Sequence, residues 1–552
     1  MVKQKLIELL TQAATQAQAS GKLPVVTLPE VTIEHPQNPE HGDYASSLPL
    51  KLARITNINP LTIANDVVGF ITPSPEIGNI AVASPGFINF TLKNEWLNAQ
   101  VDFILQSGDT YGSIELGHGS SVQIEFVSVN PTGPLHVGHG RGAILGSTLA
   151  KVLAMAGYSV EKEYYINDTG NQMDNFYHSL YIRYQQCLNV GVEMPAEGYF
   201  GNYMVDLAKE IVAEVGASFL GLPESEAVLQ LGHLGMQKMM QQIKIDLELL
   251  GVSFDVWFSE QSLYDHGLHE KVMTFLKQEG YISEKEGATW FISTALGEDK
   301  DNVVVKTDGS PTYFAADIAY HYNKFIERKF DKVIDIWGAD HQGHVSRMKA
   351  VVGALGINPE RLQVIISQMV TLCRGEELVR VSKRSGDIIT LREVVDDVGK
   401  DACRFFFLSR SVDSQMDFDM DLAKKQSVDN PVYYIQYAHA RIASILRLAR
   451  EKGINSDDGD VALFDTKPEL ALMRKMLILP EIVEAIAQTL EPHHLTYYAQ
   501  DLATAFHSFY KQCRVISPDE VLTKARLKLV KAAKVALANT LNLMSMGVPE
   551  KM

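Results

Sequence analysis

Chemistry-bearing residue types are densest at Asn130-Pro-Thr-Gly-Pro-Leu-His136-Val-Gly138-His139. The stretch follows an apolar run and precedes a run of small residues, so it reads as a turn between a strand and a helix. The first turn of a helix leaves its N–H groups unpaired and carries partial positive charge, which favours an anion there. His136 and His139 are three residues apart, hence on one helix face, where both could donate hydrogen bonds to a triphosphate. Gly138 has no side chain, so a flat base or sugar could approach the backbone closely. His-x-Gly-His fixes three residues, which chance supplies about once in 8,000 positions, so the strand–turn–helix setting carries more weight than the motif alone. The bland alternative is two ordinary helix histidines.

A second stretch, Val381-Ser382-Lys383-Arg384-Ser385-Gly386, reads as a cationic loop after apolar residues. A lysine placed where charge develops lowers a barrier electrostatically, so Lys383 could assist a departing pyrophosphate. Taken alone, the loop is more simply a solvated basic turn. A third, Trp337-Gly-Ala-Asp340-His341-Gln-Gly-His344, has the spacing of a zinc site but no evident fourth ligand, so no metal is expected there.

The elements that must position these groups can be read coarsely. Ser121–Val127 reads as a buried strand, a small-residue helix runs from His136 to Ala156 with Gly157 as its stop, and Ser159–Ile166 is a second strand. Strand, helix, strand implies a parallel sheet with a right-handed crossover. Residues of about 185–290 read as a helical insertion, including Met204–Val215 and Ala227–Leu250, before strand signals resume at Val303–Val305, Lys332–Trp337 and Leu362–Met369. Residues 1–110 read as a small α+β unit with strands at Ile80–Ala83 and Phe87–Leu92. Beyond about residue 425 the pattern is helical throughout: Pro431–Arg450, Pro468–Thr489, Leu495–Cys513 and Thr523–Met546.

A chain of 552 residues with 46% hydrophobic and 21% charged residues is globular and multidomain, which excludes disorder or fibrous repeats as a description of the whole. Its formal charge of −17 means that any nucleic acid must be held by local basic patches rather than bulk charge. From Phe506 to Met552 eight Lys or Arg face only three acids, and several, including Lys524 and Lys528, repeat at helical spacing. Tyr433, Tyr434 and Tyr437 could offer stacking surfaces to unpaired bases. Cys187, Cys373, Cys403 and Cys513 are far apart, which suggests reduced thiols in a cytoplasmic protein. No secretory leader or membrane span is expected.

His136-Val-Gly-His139 followed by Val381-Ser-Lys383 resembles the paired signatures of class I aminoacyl-tRNA synthetases. Longer stretches resemble the bacterial arginyl-tRNA synthetases. They are Val129–His139, Tyr165-Ile-Asn-Asp-Thr-Gly-Asn-Gln-Met173, Asp401-Ala-Cys-Arg-Phe-Phe-Phe407, Asp417-Phe-Asp-Met-Asp421 and Asn430-Pro-Val-Tyr-Tyr-Ile-Gln-Tyr-Ala-His-Ala-Arg441. The resemblance extends from Glu40-His-Gly-Asp-Tyr44 to Gly547-Val-Pro-Glu-Lys-Met552. In the second signature Arg380 stands for the usual first lysine, Val381 for methionine and Arg384 for the final serine, while Lys383 is retained.

The resemblance implies an α/β fold: a Rossmann-type parallel-sheet catalytic domain over 111–425, an N-terminal α+β domain over 1–110 contacting the tRNA elbow, and an all-α anticodon-binding domain over 426–552. It implies ATP-dependent joining of L-arginine to its tRNA through an adenylate, with Mg²⁺ carried in by ATP, no tightly bound cofactor, and a monomer. By similarity His136, His139 and Lys383 are catalytic. Asn130, Pro131, Thr132, Gly133, Gly138, Ser382 and Arg384 would bind ATP. Glu125, Ser128, Asn130, His139, Tyr313, Asp317 and His341 would bind arginine, whose planar cationic fork calls for carboxylates such as Glu125 and Asp317. Tyr433, Tyr437, Arg441, Lys524 and Lys528 would contact tRNA. Two rivals are a small HxGH nucleotidyltransferase and a synthetase-like tRNA binder whose catalytic site has decayed.

Overall fold

The computed structural model describes residues 2–375, 377–379 and 389–552. Its centre is a five-stranded parallel sheet in the order Leu362–Ser367, Lys332–Gly338, Ser121–Glu125, Ser159–Ile166, Val256–Ser259. The chain begins in the middle strand, adds two strands on one side, then crosses over and adds two on the other. This is the Rossmann order, and its switch point falls between Ser121–Glu125 and Lys332–Gly338, where such sheets open a crevice at the strands' carboxyl ends.

Helix Val137–Met155 makes the first crossover, with His136 and Ala156 as its caps and Gly157 turning out at φ 85°. Its small residues serve close packing: a Cβ on Gly146 would lie 2.2 Å from Cγ of Phe126. The helix is therefore pressed onto the sheet at a distance only glycine permits.

The segment expected as one helical insertion over 185–290 is mixed. Helices Asn171–Cys187, Asn202–Val215 and Glu224–Leu249 share a core of their own around Phe176, Leu180, Tyr184 and Ile211. Val256–Ser259 then returns to the main sheet beside Glu163–Ile166, too short a run to stand out among helical signals. Asn302–Val305 joins Ile282–Lys285 and Ala288–Phe291 in a separate antiparallel sheet.

The N-terminal unit packs helices Val2–Ala19, Leu48–Thr56 and Pro60–Val68 on a four-stranded antiparallel sheet. The C-terminal unit is helical: Pro431–Glu451, Lys467–Met476, Leu479–Thr489, His494–Gln512 and Glu520–Leu543. The single helix expected over 468–489 is two, because Pro480 has no N–H for the carbonyl of Met476. Tyr111 and Tyr498 donate their hydroxyls to that carbonyl instead, at 2.8 and 3.3 Å.

The joint between the Rossmann and helical units is polar and buried. The fully buried Arg404 donates to Ser147 Oγ (3.0 Å), Thr148 Oγ1 (3.2 Å), the Leu250 carbonyl (2.9 Å) and the Met544 carbonyl. Asp401 accepts from Gly547 N–H at 3.1 Å and from Gln436 at 2.6 Å. No helix among the described residues is long and apolar enough to cross a membrane.

Candidate active site

The strand Ser121–Glu125 ends in a turn where Val127 and Ser128 hold left-handed backbone angles, φ 72° and 44°. Such angles are sparsely populated for residues with a Cβ and persist only when neighbours hold them. Ser128 Oγ does so twice, donating to Glu125 Oε1 at 2.9 Å and accepting from Tyr165 N–H at 3.1 Å. Farther along, Tyr203 OH of the insertion donates to the Thr132 carbonyl at 2.8 Å, and Asn130 donates to Gln172.

His136 caps the helix by accepting Gly138 N–H on Nδ1 at 3.1 Å, and His139 Nδ1 accepts His136 N–H at 3.2 Å. The two rings stack at 3.5 Å. Burial lowers the pKa of His136; burial, and then the neighbouring His136, pull His139 down to about 3. Both rings are therefore neutral near pH 7, and since each Nδ1 accepts, each proton sits on Nε2. Two donors remain for an anion, as the spacing suggested, though their arrangement is a stacked cap. A Cβ on Gly138 would fall 3.1 Å from His136 Cε1, so this glycine first of all makes room for the imidazole.

Thr390 pairs with His136 in an antiparallel bridge, and Leu391 N–H donates to the Leu135 carbonyl at 2.7 Å. The chain thus rejoins the histidine cap seven residues after Lys383. Ser382, Lys383 and Arg384 themselves lie outside the described residues.

A cleft of about 110 Å³ opens at the switch point, lined by Glu125, Ser128, Tyr313, Asp317 and His341, with His344, Tyr165 and Trp337 among the rest. A wider cleft of about 880 Å³ shares Ser128, Tyr313 and His341 and adds Asn130, Gln172, Glu260 and Lys306. Pro131, Thr132, Gly133, His136, Gly138 and His139 line neither. Of the seven residues expected to bind arginine, Glu125, Ser128, Tyr313, Asp317 and His341 are thus together, Asn130 lines the wider cleft, and His139 lines neither. Asp340 and His341 approach to 3.5 Å, but Asp340, His341 and His344 do not form a close metal-ligand group.

Beneath the small cleft lies a charge network that sequence reasoning missed. Register places Asp335 opposite Glu125 and Glu125 opposite Glu163, so three acids stand abreast on neighbouring strands, exposed by 0%, 7% and 0%. Buried acids need partners. Helix Tyr313–Tyr322 and the π-helical turn Asn323–Glu327 after it supply them. Lys324 Nζ donates to Glu125 Oε2 (2.6 Å) and Asp335 Oδ1 (2.8 Å), and Arg328 donates to Glu163. His321 donates to Asp335 Oδ2 (3.0 Å) and to the Asp317 carbonyl (2.8 Å), while Tyr320 OH donates to Glu163 Oε1 (2.5 Å). Burial alone would raise Asp335, but Lys324 and His321 outweigh it and hold the carboxyl at about 2. Burial raises Glu125, and Lys324 offsets only part of that.

Asp317 differs. Its carboxylate has no hydrogen-bond or ion-pair partner among the described residues, and burial, with Glu260 and Glu125 nearby, pushes its pKa well above the carboxylate range. A half-buried acid held in that state is suited to an incoming cation. Glu260, buried and bonded to Thr169 Oγ1 at 2.9 Å, adds a second acid from the end of the strand Val256–Ser259. The signal that could have found it is position: Glu125, Asn167, Glu260 and Trp337 all follow or end parallel strands.

In the helical unit Tyr433 stacks on Tyr437 (6.0 Å, 7°), and Arg441 lies over Tyr437 (4.6 Å) and Tyr510 (4.9 Å). Lys524 and Lys528 are elsewhere engaged, with Asp458 and Asp102, each at 2.7 Å. Arg526, Lys531 and Lys534 likewise pair with Glu469, Asp457 and Glu550. The local basic excess counted along the chain is largely neutralised by acids from other segments.

A parallel sheet whose first strand feeds a histidine-capped helix, with a later segment returning to that cap, is the frame of the class I aminoacyl-tRNA synthetases. Three family profiles match in succession: "Arginyl tRNA synthetase N terminal domain" over residues 4–92, "tRNA synthetases class I (R), catalytic domain" over 100–431, and "DALR anticodon binding domain" over 435–552. The chain belongs to the arginyl-tRNA synthetase family. It is 58% identical to an arginine–tRNA ligase of Dehalococcoides mccartyi over 100% of this chain and 99% of that one. It is 49% identical to that of Carboxydothermus hydrogenoformans over 94% of both. The arginyl-tRNA synthetase of Thermus thermophilus, 22% identical, shares the fold over 100% of both chains with a TM-score of 0.77.

Proposed function

We propose that this chain joins L-arginine to its tRNA at the expense of ATP. The observation that carries the reading is the convergence of Asp317, Glu125, Ser128 and Tyr313 in one acidic cleft beside the histidine-capped helix. The guanidinium enters that cleft and pairs with the Asp317 carboxylate. The arginine carboxylate then faces the wider cleft, where Asn130 and His341 border the space for the adenylate. A carboxylate oxygen attacks the α-phosphorus of ATP, forming the acyl–phosphate bond as pyrophosphate leaves with its electron pair. A hydroxyl of the terminal ribose of tRNA then attacks the carbonyl carbon, AMP departs, and the hydroxyl proton is lost.

His136 and His139 donate from Nε2 to the phosphate oxygens as charge shifts onto them, and Lys383 meets the leaving pyrophosphate. Mg²⁺ enters with ATP and is held chiefly by the phosphates. Pro131, Thr132, Gly133 and Gly138 shape the turn over the nucleotide, and Ser382 and Arg384 are further ATP contacts. The ladder Tyr433–Tyr437–Arg441 takes unpaired tRNA bases, and Lys524 and Lys528 act as phosphate contacts by exchanging their acid partners. The N-terminal unit meets the tRNA elbow, with unit boundaries near residues 110 and 425. The protein acts as a cytoplasmic monomer.

The test is charging of bulk tRNA with each of the twenty amino acids separately, with ATP. Arginine alone is the expected product. Another amino acid would retain the class and overturn the pocket assignment; no product, with tRNA still bound, would leave a binding protein.

A further inference from the structure

The turn joining helices Leu479–Thr489 and His494–Gln512 carries Glu491-Pro-His-His494. Leu490 takes a left-handed angle, φ 60°, and so brings Glu491 back toward the start of the second helix. One ligand atom from each of Glu491, His493 and His494 lies within 4.8 Å of the other two.

Two details fit a shared ion. First, Glu491 Oε2 and His494 Nε2 are 3.4 Å apart. A charge-assisted hydrogen bond settles at about 2.7–2.9 Å. Ligands bonded to a tetrahedral zinc at about 2.0–2.1 Å lie about 3.3 Å from one another, the spacing seen here. Second, His493 is only 9% exposed, and its Nδ1 is buried with no hydrogen-bond partner among the described residues. A buried ring nitrogen without a partner is costly unless something else satisfies it.

We propose that Glu491, His493 and His494 bind one divalent ion of the zinc class, with water completing the coordination. Two imidazoles and one carboxylate form a borderline donor set that suits zinc over magnesium or calcium, which prefer all-oxygen shells.

The placement gives the ion a consequence. One turn into the helix, Tyr497 OH donates to the Ser409 carbonyl at 3.2 Å. The loop beginning there offers the carbonyls of Ser411 and Ser414, each 2.8 Å from the buried guanidinium of Arg141 on the histidine-capped helix. An ion that stiffens the first turn of His494–Gln512 therefore also steadies the loop against which the catalytic helix is anchored.

The test uses the full chain, stripped with a chelator and titrated with Zn²⁺ against a chromogenic zinc indicator, in parallel with Glu491→Gln and His494→Gln. Both side chains are partly exposed, so these variants retain the fold, which circular dichroism verifies. Wild type is expected to hold one equivalent of zinc more tightly than either variant by about tenfold or more. Zinc should also raise the unfolding temperature of wild type alone. Superimposable titrations for the three proteins would overturn the proposal, whatever zinc binds at other histidines or thiols.

Discussion

Lys324 places its ammonium nitrogen 2.6 Å from Glu125 Oε2, so one of the two acids expected to read a guanidinium already holds a cation. The other, Asp317, has no hydrogen-bond or ion-pair partner among the described residues. The cleft therefore divides its acids: Glu125 is held by Ser128 on Oε1 and Lys324 on Oε2, whereas Asp317 is unpaired there and its pKa is raised by burial, so under the proposed function Asp317 is the acid left to meet the guanidinium.

Asp317→Ala is expected to raise KM for arginine by about thirtyfold or more while leaving KM for ATP nearly unchanged, the scale of one lost charge-assisted pair. Steady-state pyrophosphate exchange with tRNA present measures both. Equal losses for the two substrates would count against the guanidinium role.

Because burial, with Glu260 and Glu125 nearby, raises the pKa of Asp317, its carboxyl takes up a proton at a higher pH than an ordinary carboxyl does, and that proton opposes pairing with arginine. KM for arginine should therefore climb as pH is lowered through the titration of this group, with a proton released on binding wherever the free carboxyl holds one. Isothermal titration in buffers of different ionisation heat reads that proton. Asp317→Asn should abolish the dependence.

Removing one partner of a buried charge pair leaves the other uncompensated, at a cost of about 3–5 kcal/mol. Lys324→Met strands both Glu125 and Asp335, so a loss of that size in urea unfolding is expected, together with weaker arginine binding. Unchanged stability would show that the row of acids is held by other means.

His139→Ala is expected to slow adenylate formation about a hundredfold or more, the scale of one lost transition-state donor. His139 has a second signature. Its folded pKa of about 3 lies below the ordinary value of 6.5, so the unfolded chain takes up a proton between those limits that the folded chain does not. Stability from this group is full above about 6.5 and is lost as pH falls toward about 3. His139→Gln should flatten that part of the stability-versus-pH curve.

Tyr437→Leu removes the middle rung of the ladder between Tyr433 and Arg441. One base stack contributes about 1–3 kcal/mol, so KM for tRNA should rise about 5- to 150-fold with kcat at saturating tRNA little changed. A fall in kcat alone would argue that the ladder serves packing.

The parts legible in the sequence were those carried by short-range chemistry. The turn, the helix that starts at the two histidines, and the shared helix face of Tyr313 and Asp317 could be read locally, whereas the stacked cap that His136 and His139 form could not. What was not legible depends on register and burial. Nothing local in Glu125, Glu163 or Asp335 says that three strands set them side by side, or that Lys324, in an aromatic helix end, lies beneath two of them. Val256–Ser259 was hidden by its brevity, and Glu260 with it. Lys524 and Lys528 mark the opposite failure: charge summed along a helix is blind to Asp458 and Asp102, which meet those lysines only in three dimensions.

Arg404 gives the molecule an order of assembly. Its guanidinium joins Ser147 and Thr148 of the catalytic helix to the Leu250 carbonyl and, some three hundred residues later than that, to the Met544 carbonyl. During synthesis the Rossmann sheet can form well before residue 544 emerges, yet until then this buried cation lacks one of its acceptors. A chain cut near residue 425 would thus lose more than a binding unit. Competence for activation and possession of the helical unit should therefore appear together in time.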